Sequence, residues 1–239
     1  MILVTILVLG GLLYLFAARI TQWPIYRSIY CLLGILCAVF AVKPHTGFVT
    51  HMWGHLLLGM LAPLLMVLSR PVTLALRTIP APWARQLTRL MKSRAFGLIS
   101  DPVTASILNI GGLWLLYTTS LYAHMHHHTV LYELVHLHVW LAGYFFTASM
   151  ITLDPKPHPR SFVYRSVVLV IALAAHGILA KYIYAHPPLG VSVEEAERGA
   201  MIMYYGGDLI DLALMVIFCH QWYKVTRPRV IKNTEVLQK

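Results

Sequence analysis

Seven stretches of the chain are apolar over a length that suits, or nearly suits, a bilayer core about 30 Å thick, which takes about 20 residues at helical rise. They run roughly Ile2 to Ala18, Ile25 to Val42, Thr50 to Leu68, Val103 to Ala123, Glu133 to Leu153, Ser166 to Tyr184 and Ala200 to Tyr223. The pattern predicts an all-α, polytopic transmembrane bundle of seven spans, with residues 1–239 forming a single integral membrane domain. The second stretch is the shortest and reaches full length only with Tyr26 and Tyr30. The first has no basic segment ahead of it and is followed by Arg19, Trp23 and Pro24 rather than a cleavage site, so it reads as a retained span. Between the third and fourth spans lies a polar segment, about 71–102. After Pro80 and Pro82, Trp83, Leu87, Leu90 and Met91 recur there at helical spacing, with Arg85, Arg89 and Lys92 on another face. This is the pattern of an amphipathic helix, lying on the inner leaflet or packed on the spans.

Composition agrees with a lipid-embedded chain: 58% of the residues are hydrophobic and 12% charged, too apolar for a soluble domain of this length. A formal charge of +10 would ordinarily raise nucleic acid as a partner. The placement of the cations argues for membrane orientation instead, because Lys and Arg concentrate in cytoplasmic segments near span ends. With the N-terminus outside, only Lys43, Lys181 and Arg198 of the 19 basic residues fall outside, and the C-terminal tail, 224–239, is cytoplasmic. The lipid bilayer is therefore the expected partner and nucleic acid is not. Cys31, Cys37 and Cys219 form no C-x-x-C pair and supply neither a disulfide framework nor a thiolate metal site. No Ser/His/Asp arrangement, phosphate loop or dinucleotide glycine motif occurs in a workable context, so an enzyme is not expected.

Thirteen histidines are more than packing requires in so apolar a chain. The topology sends ten outward: His45, His51, His55, His124, His126, His127, His128, His136, His138 and His186. His51 and His55 open the third span four residues apart, which stacks both rings on one helix face. Glu133 and His136, three apart, share a face at the outer end of the fifth span. His51, His55, His136 and Glu133 are thus candidate metal ligands, and Met52, Met60 and Met125 add the thioethers that, with imidazole, suit Cu(I). Interfacial hydrogen bonding accounts for His45, His158 and His186 as readily, and the run His126 to His128 can bind metal loosely without a defined site. Deeper in the bilayer, His176 faces a choice of partners in Asp208 and Asp211, which sit three apart after Gly206-Gly207. Burying two carboxylates is costly, so both are expected to face the bundle interior. A structural hydrogen bond and a proton or metal relay are alternative readings of that trio, which completes the candidate metal residues.

Several of these residues carry a resemblance. The run from His51 and His55 through Ala62-Pro63 to Arg70-Pro71, then His136 seven residues before Gly143, then Asp154-Pro155, resembles the CtaG family of caa3-type cytochrome c oxidase assembly factors over roughly residues 28 to 223. The resemblance implies a seven-helix protein of the bacterial plasma membrane. It further implies a partnership with cytochrome c oxidase subunits and help with copper delivery or insertion, with His51, His55, His136 and Asp208 as the carried-over positions. Two other classes compete with it: a b-type haem oxidoreductase with axial histidines drawn from His51, His55, His136 and His176, and an ion or proton transporter running through His176, Asp208 and Asp211.

Overall fold

The computed structural model describes residues 2–43, 47–157 and 159–228, and these contain helices and connecting segments but no strand. His45, His158, Arg229, Lys232 and Lys239 lie outside the described residues. The helices are α1 (Ile2–Ile20), α2 (Ile25–Ala41), α3 (Phe48–Leu68), α4 (Pro71–Thr78), α5 (Ala81–Met91), α6 (Arg94–Ile99), α7 (102–118), α8 (Leu121–Met125), α9 (Thr129–Met150), α10 (Phe162–Ala185) and α11 (Val193–Thr226).

Four of them, α1, α3, α10 and α11, are long and apolar enough to cross a membrane. The other three expected spans are helices as well, but each departs from that standard. α2 is apolar over only 17 residues. α7 stops at Thr118 because Thr119 is extended, so the chain turns and starts α8 where an unbroken helix to Ala123 was expected. α9 has 22 residues but carries Glu133, His136 and His138. α11 is longer than expected, 34 residues, because Ser192 caps it well before Ala200 by accepting from the Glu195 N–H. At 1.5 Å per residue it is about 50 Å long, more than a bilayer core needs.

α3 is the central helix. In its most apolar stretch 67% of residues are buried, against 33% or fewer for the other three long helices. It packs against α2, α9 and α11. The approach to α9 is close because Gly143 leaves room for it: a Cβ there would collide with the Gly59 carbonyl oxygen. This crossing brings the histidines of α3 and α9 together. Both α3 and α7 contain one π-helical turn, Leu57–Leu61 and Ile107–Gly111. Such a turn disturbs the regular backbone ladder, and in α7 a loosened acceptor is taken up by the ring of His138, whose Nε2 donates to the Leu108 carbonyl at 3.0 Å.

Hydrogen bonds tie the two ends of the bundle. At one end the Leu3 N–H donates to Glu133 at 3.1 Å, linking α1 to the start of α9. At the other end Asp154 accepts from the backbone N–H groups of Val72 (3.3 Å) and Thr73 (2.8 Å) and from the Thr73 hydroxyl. Asp154 therefore caps α4, whose preceding residue, Arg70, is held in the left-handed region at φ 54°. The Arg70-Pro71 and Asp154-Pro155 pairs, more than eighty residues apart, are two halves of one junction. Nearby, Lys156 donates to the Ser100 carbonyl at 2.7 Å, and Arg160 pairs with Asp101, the cap of α7, at 2.7 Å. The expected amphipathic segment is three helices, α4 to α6; in α5, Trp83 and Leu90 are exposed whereas Met91 is buried.

Candidate functional site

The histidines expected to share one site fall into two groups that meet at α3. In the first, at the end of the bundle where α3 and α9 begin, His51 and His136 are buried, their rings at right angles with centroids 6.3 Å apart. The exposed His126, between α8 and α9, places its ring 6.2 Å from His51. Partial burial, then the neighbouring His127, hold the His126 imidazole below its usual range, which favours the neutral form that binds metals. Aromatic rings frame these histidines: Tyr122 lies 5.0 Å from His51 and from His126, and Tyr132 stacks 4.0 Å from His136. His51 Nε2 shares a 3.0 Å hydrogen bond with the hydroxyl of the buried Tyr117 on α7. His136 Nδ1 donates to the Tyr132 carbonyl at 2.8 Å, which orients its ring.

The second group is one turn deeper. His55 is buried, and its ring centroid lies 6.0 Å from that of the buried His176 on α10. Both border a cavity of about 30 Å³, together with Met60, Asn109, Thr147 and Asp211. His55 also borders a smaller void of about 10 Å³ that His51, His136 and Tyr117 line. The spacing of His51 and His55 thus keeps them adjacent on α3, but one belongs with α9 and the other with α10.

Other expected ligands take different places. Met52 fills the apolar core with Phe48 and Met125, touches the open space at Gly199 and lines neither cavity. Glu133 receives the Leu3 N–H as described. Asp208 does not face the interior as expected: it is exposed, while Asp211 is buried. Residues three apart on a helix are offset by about 60°, and the buried stripe of α11 takes in Gly207, Asp211 and Leu214 but leaves Asp208 outside it. His138, His124 and His186 are exposed and hydrogen-bond to carbonyl groups. Among the described residues, no three His, Cys, Asp or Glu side chains converge closely enough to hold one metal ion.

Sequence reasoning overlooked Tyr117 and Tyr122, which no spacing relates to His51 or His136, and Tyr132, for which a signal existed: it precedes His136 by four residues on one helix. It also overlooked Asn109, for which a signal existed: an amide in an apolar span asks for a polar neighbour.

The sequence profile of a family described as cytochrome c oxidase caa3 assembly factor matches residues 12–225. An uncharacterized protein of Mycobacterium leprae is 34% identical over 167 residues, 64% of this chain and 25% of its own length. An uncharacterized protein of Mycobacterium bovis is 33% identical over 171 residues, 66% of this chain and 26% of its own. The chain thus spans about a quarter of the length of these curated relatives. No solved structure matches it.

Proposed function

The chain belongs to the family of cytochrome c oxidase caa3 assembly factors, and from that premise we propose that it is a non-enzymatic helper in building a haem-copper oxidase, handling copper through the histidines at one end of its bundle. The observation that carries the copper part is the gathering of His51, His136 and His126 from three separate elements, with ring centroids 6.2 to 6.3 Å from His51. Imidazoles at that spacing, close to the surface and backed by tyrosines, suit the capture and release of one copper ion better than its permanent storage.

Seven spans in the plasma membrane of a bacterium, N-terminus outside, form the topology of this reading. Sixteen of the 19 basic residues then lie inside, and the histidine group faces outward, where α1, α3 and α9 begin. The Asp154 junction and the basic α5 lie at the cytoplasmic face, and the oxidase subunits are met at the outer surface or within the bilayer.

Neither competing class gains support. The cavity between His55 and His176, about 30 Å³, has room for a single ion or water but not a porphyrin. A relay through His176, Asp211 and Asp208 lacks its last member in that cavity, since Asp208 is exposed and does not line it.

The test has two readouts. In a strain lacking the gene, wild type is expected to restore the oxidase absorption spectrum and His51→Ala/His136→Ala to fail. Purified wild-type protein loaded with Cu(I) is expected to retain copper that the double variant loses. Full oxidase assembly by the double variant, with copper content equal to wild type, overturns the copper role.

A further inference from the structure

The deeper cavity has properties that the outer histidines do not account for. His55 and His176 border it from α3 and α10, and the Nε2 atom of each is buried without a hydrogen-bond partner. Buried polar groups are nearly always paired, so two unpaired imidazole nitrogens beside one small space point to a common occupant. The surrounding backbone is specialised as well. The π turn of α3 brings Gly59 and Met60 to the cavity wall, and the π turn of α7 brings Asn109 and Ile110. Such turns inside α-helices recur at functional sites, and here one borders the cavity from each side. On α11, Gly207 makes way for His176: a Cβ there would lie 2.6 Å from the ring's Cε1.

We propose that this cavity is an inner binding site for a single Cu(I) ion, held between His55 Nε2 and His176 Nε2 with the Asp211 carboxylate as its counter-charge. The proposal rests on the copper role argued above and adds to it a second, deeper station. Distance supports it: two imidazoles facing one ion at metal–nitrogen distances of about 2 Å have ring centres roughly 6 Å apart, and the observed separation is 6.0 Å. Charge and coordination select the ion. Zn²⁺ takes four ligands in closed sites and a divalent ion would leave a net positive charge against Asp211 alone, whereas Cu(I) accepts two nitrogens and is neutralised by one carboxylate. Hard cations want oxygen ligands throughout, whereas the oxygens of Asp211, Asn109 and Thr147 here stand beside two imidazoles and the Met60 thioether, the softer donors that suit Cu(I).

Because His55 also borders the void lined by His51 and His136, the two stations are contiguous. A copper–nitrogen bond to His55 forms as a bond to His51 or His136 breaks, and the ion stays Cu(I) throughout.

The experiment uses the full-length protein in lipid nanodiscs, loaded anaerobically with Cu(I) and washed with a Cu(I) chelator. Copper is counted by mass spectrometry and its coordination read by X-ray absorption. Wild type is expected to retain a two-coordinate, imidazole-bound ion. His176→Gln loses that ion and its signature, whereas His51→Gln retains them. Asp211→Asn keeps the ligands and weakens retention about tenfold, the effect of an unneutralised charge in a low-dielectric site. Absence of two-coordinate imidazole copper in the wild type overturns the inner station whatever the variants do. Copper lost from His51→Gln but fully retained by His176→Gln also overturns it while leaving the outer capture site standing; no retained copper at all removes both.

Discussion

Removing the Asp154 carboxylate is expected to unfasten α4 from the rest of the bundle. Three donors converge on this side chain, the Val72 N–H at 3.3 Å, the Thr73 N–H at 2.8 Å and the Thr73 hydroxyl, and all belong to the first turn of a helix that follows a left-handed Arg70. Loss of a side-chain cap costs about 0.5–2 kcal/mol, and a hydrogen bond to a charged group contributes about 1.5–3 kcal/mol. The carboxylate is only partly buried and its three contacts share one group, so they do not add; Asp154→Ala is expected to cost about 2–3 kcal/mol. In a chain of this length that lowers Tm by about 4–12 °C. Asp154→Asn keeps an acceptor but not the charge and should cost about half as much. Thermal unfolding in detergent, followed by tryptophan fluorescence, measures the shift. Limited trypsin digestion adds a local readout, because the bond after the exposed Arg77 lies within a helix packed on α1 and becomes a flexible substrate once that helix is released. An unchanged Tm together with an unchanged cleavage rate at Arg77 would falsify the view that this junction holds this end of the bundle together.

Two further outcomes follow from single contacts. Tyr117→Phe removes the hydroxyl 3.0 Å from His51 Nε2 and is expected to cost about 1 kcal/mol, the net contribution of one hydrogen bond; thermal unfolding that matches wild type refutes the pairing. Lys156 tests pH dependence: burial is the main cause that pushes its ammonium down to about 8, Arg165 and Arg160 act in the same sense, and Asp101 opposes them. Its folded pKa lies below its unfolded value, so between about pH 8 and 10.5 the unfolded chain binds more protons and the folded state gains stability as pH rises. The penalty is present in full below pH 8 and is gone above the unfolded pKa. Lys156→Met should remove this rise from a plot of Tm against pH, and a rise that persists in the variant rules Lys156 out as its source.

The family resemblance was readable from short motifs, but their meaning was not. Arg70-Pro71 and Asp154-Pro155 stand out in the sequence as separate signals, and each looks like the head of a loop. Only folding brings the carboxylate of one onto the backbone of the other. His51 and His55 show a similar divergence: helical spacing correctly places them one turn apart, but it carries no information about which neighbouring helix each ring meets.

Helix positions, the crowding of imidazoles and the basic bias of one set of connections all follow from local order along the chain. An apolar stretch must close its own backbone hydrogen bonds, and it does so within the helix whatever surrounds it. Partner choice is a different kind of quantity. That α9 crosses α3 at Gly143 and Gly59, that His55 lies beside His176, that Asp211 is buried while Asp208 is exposed, and that Tyr117 reaches His51 were settled by packing between distant segments. Residues 66 or 121 positions apart are related by no periodicity, only by the shapes that fit when the helices come together.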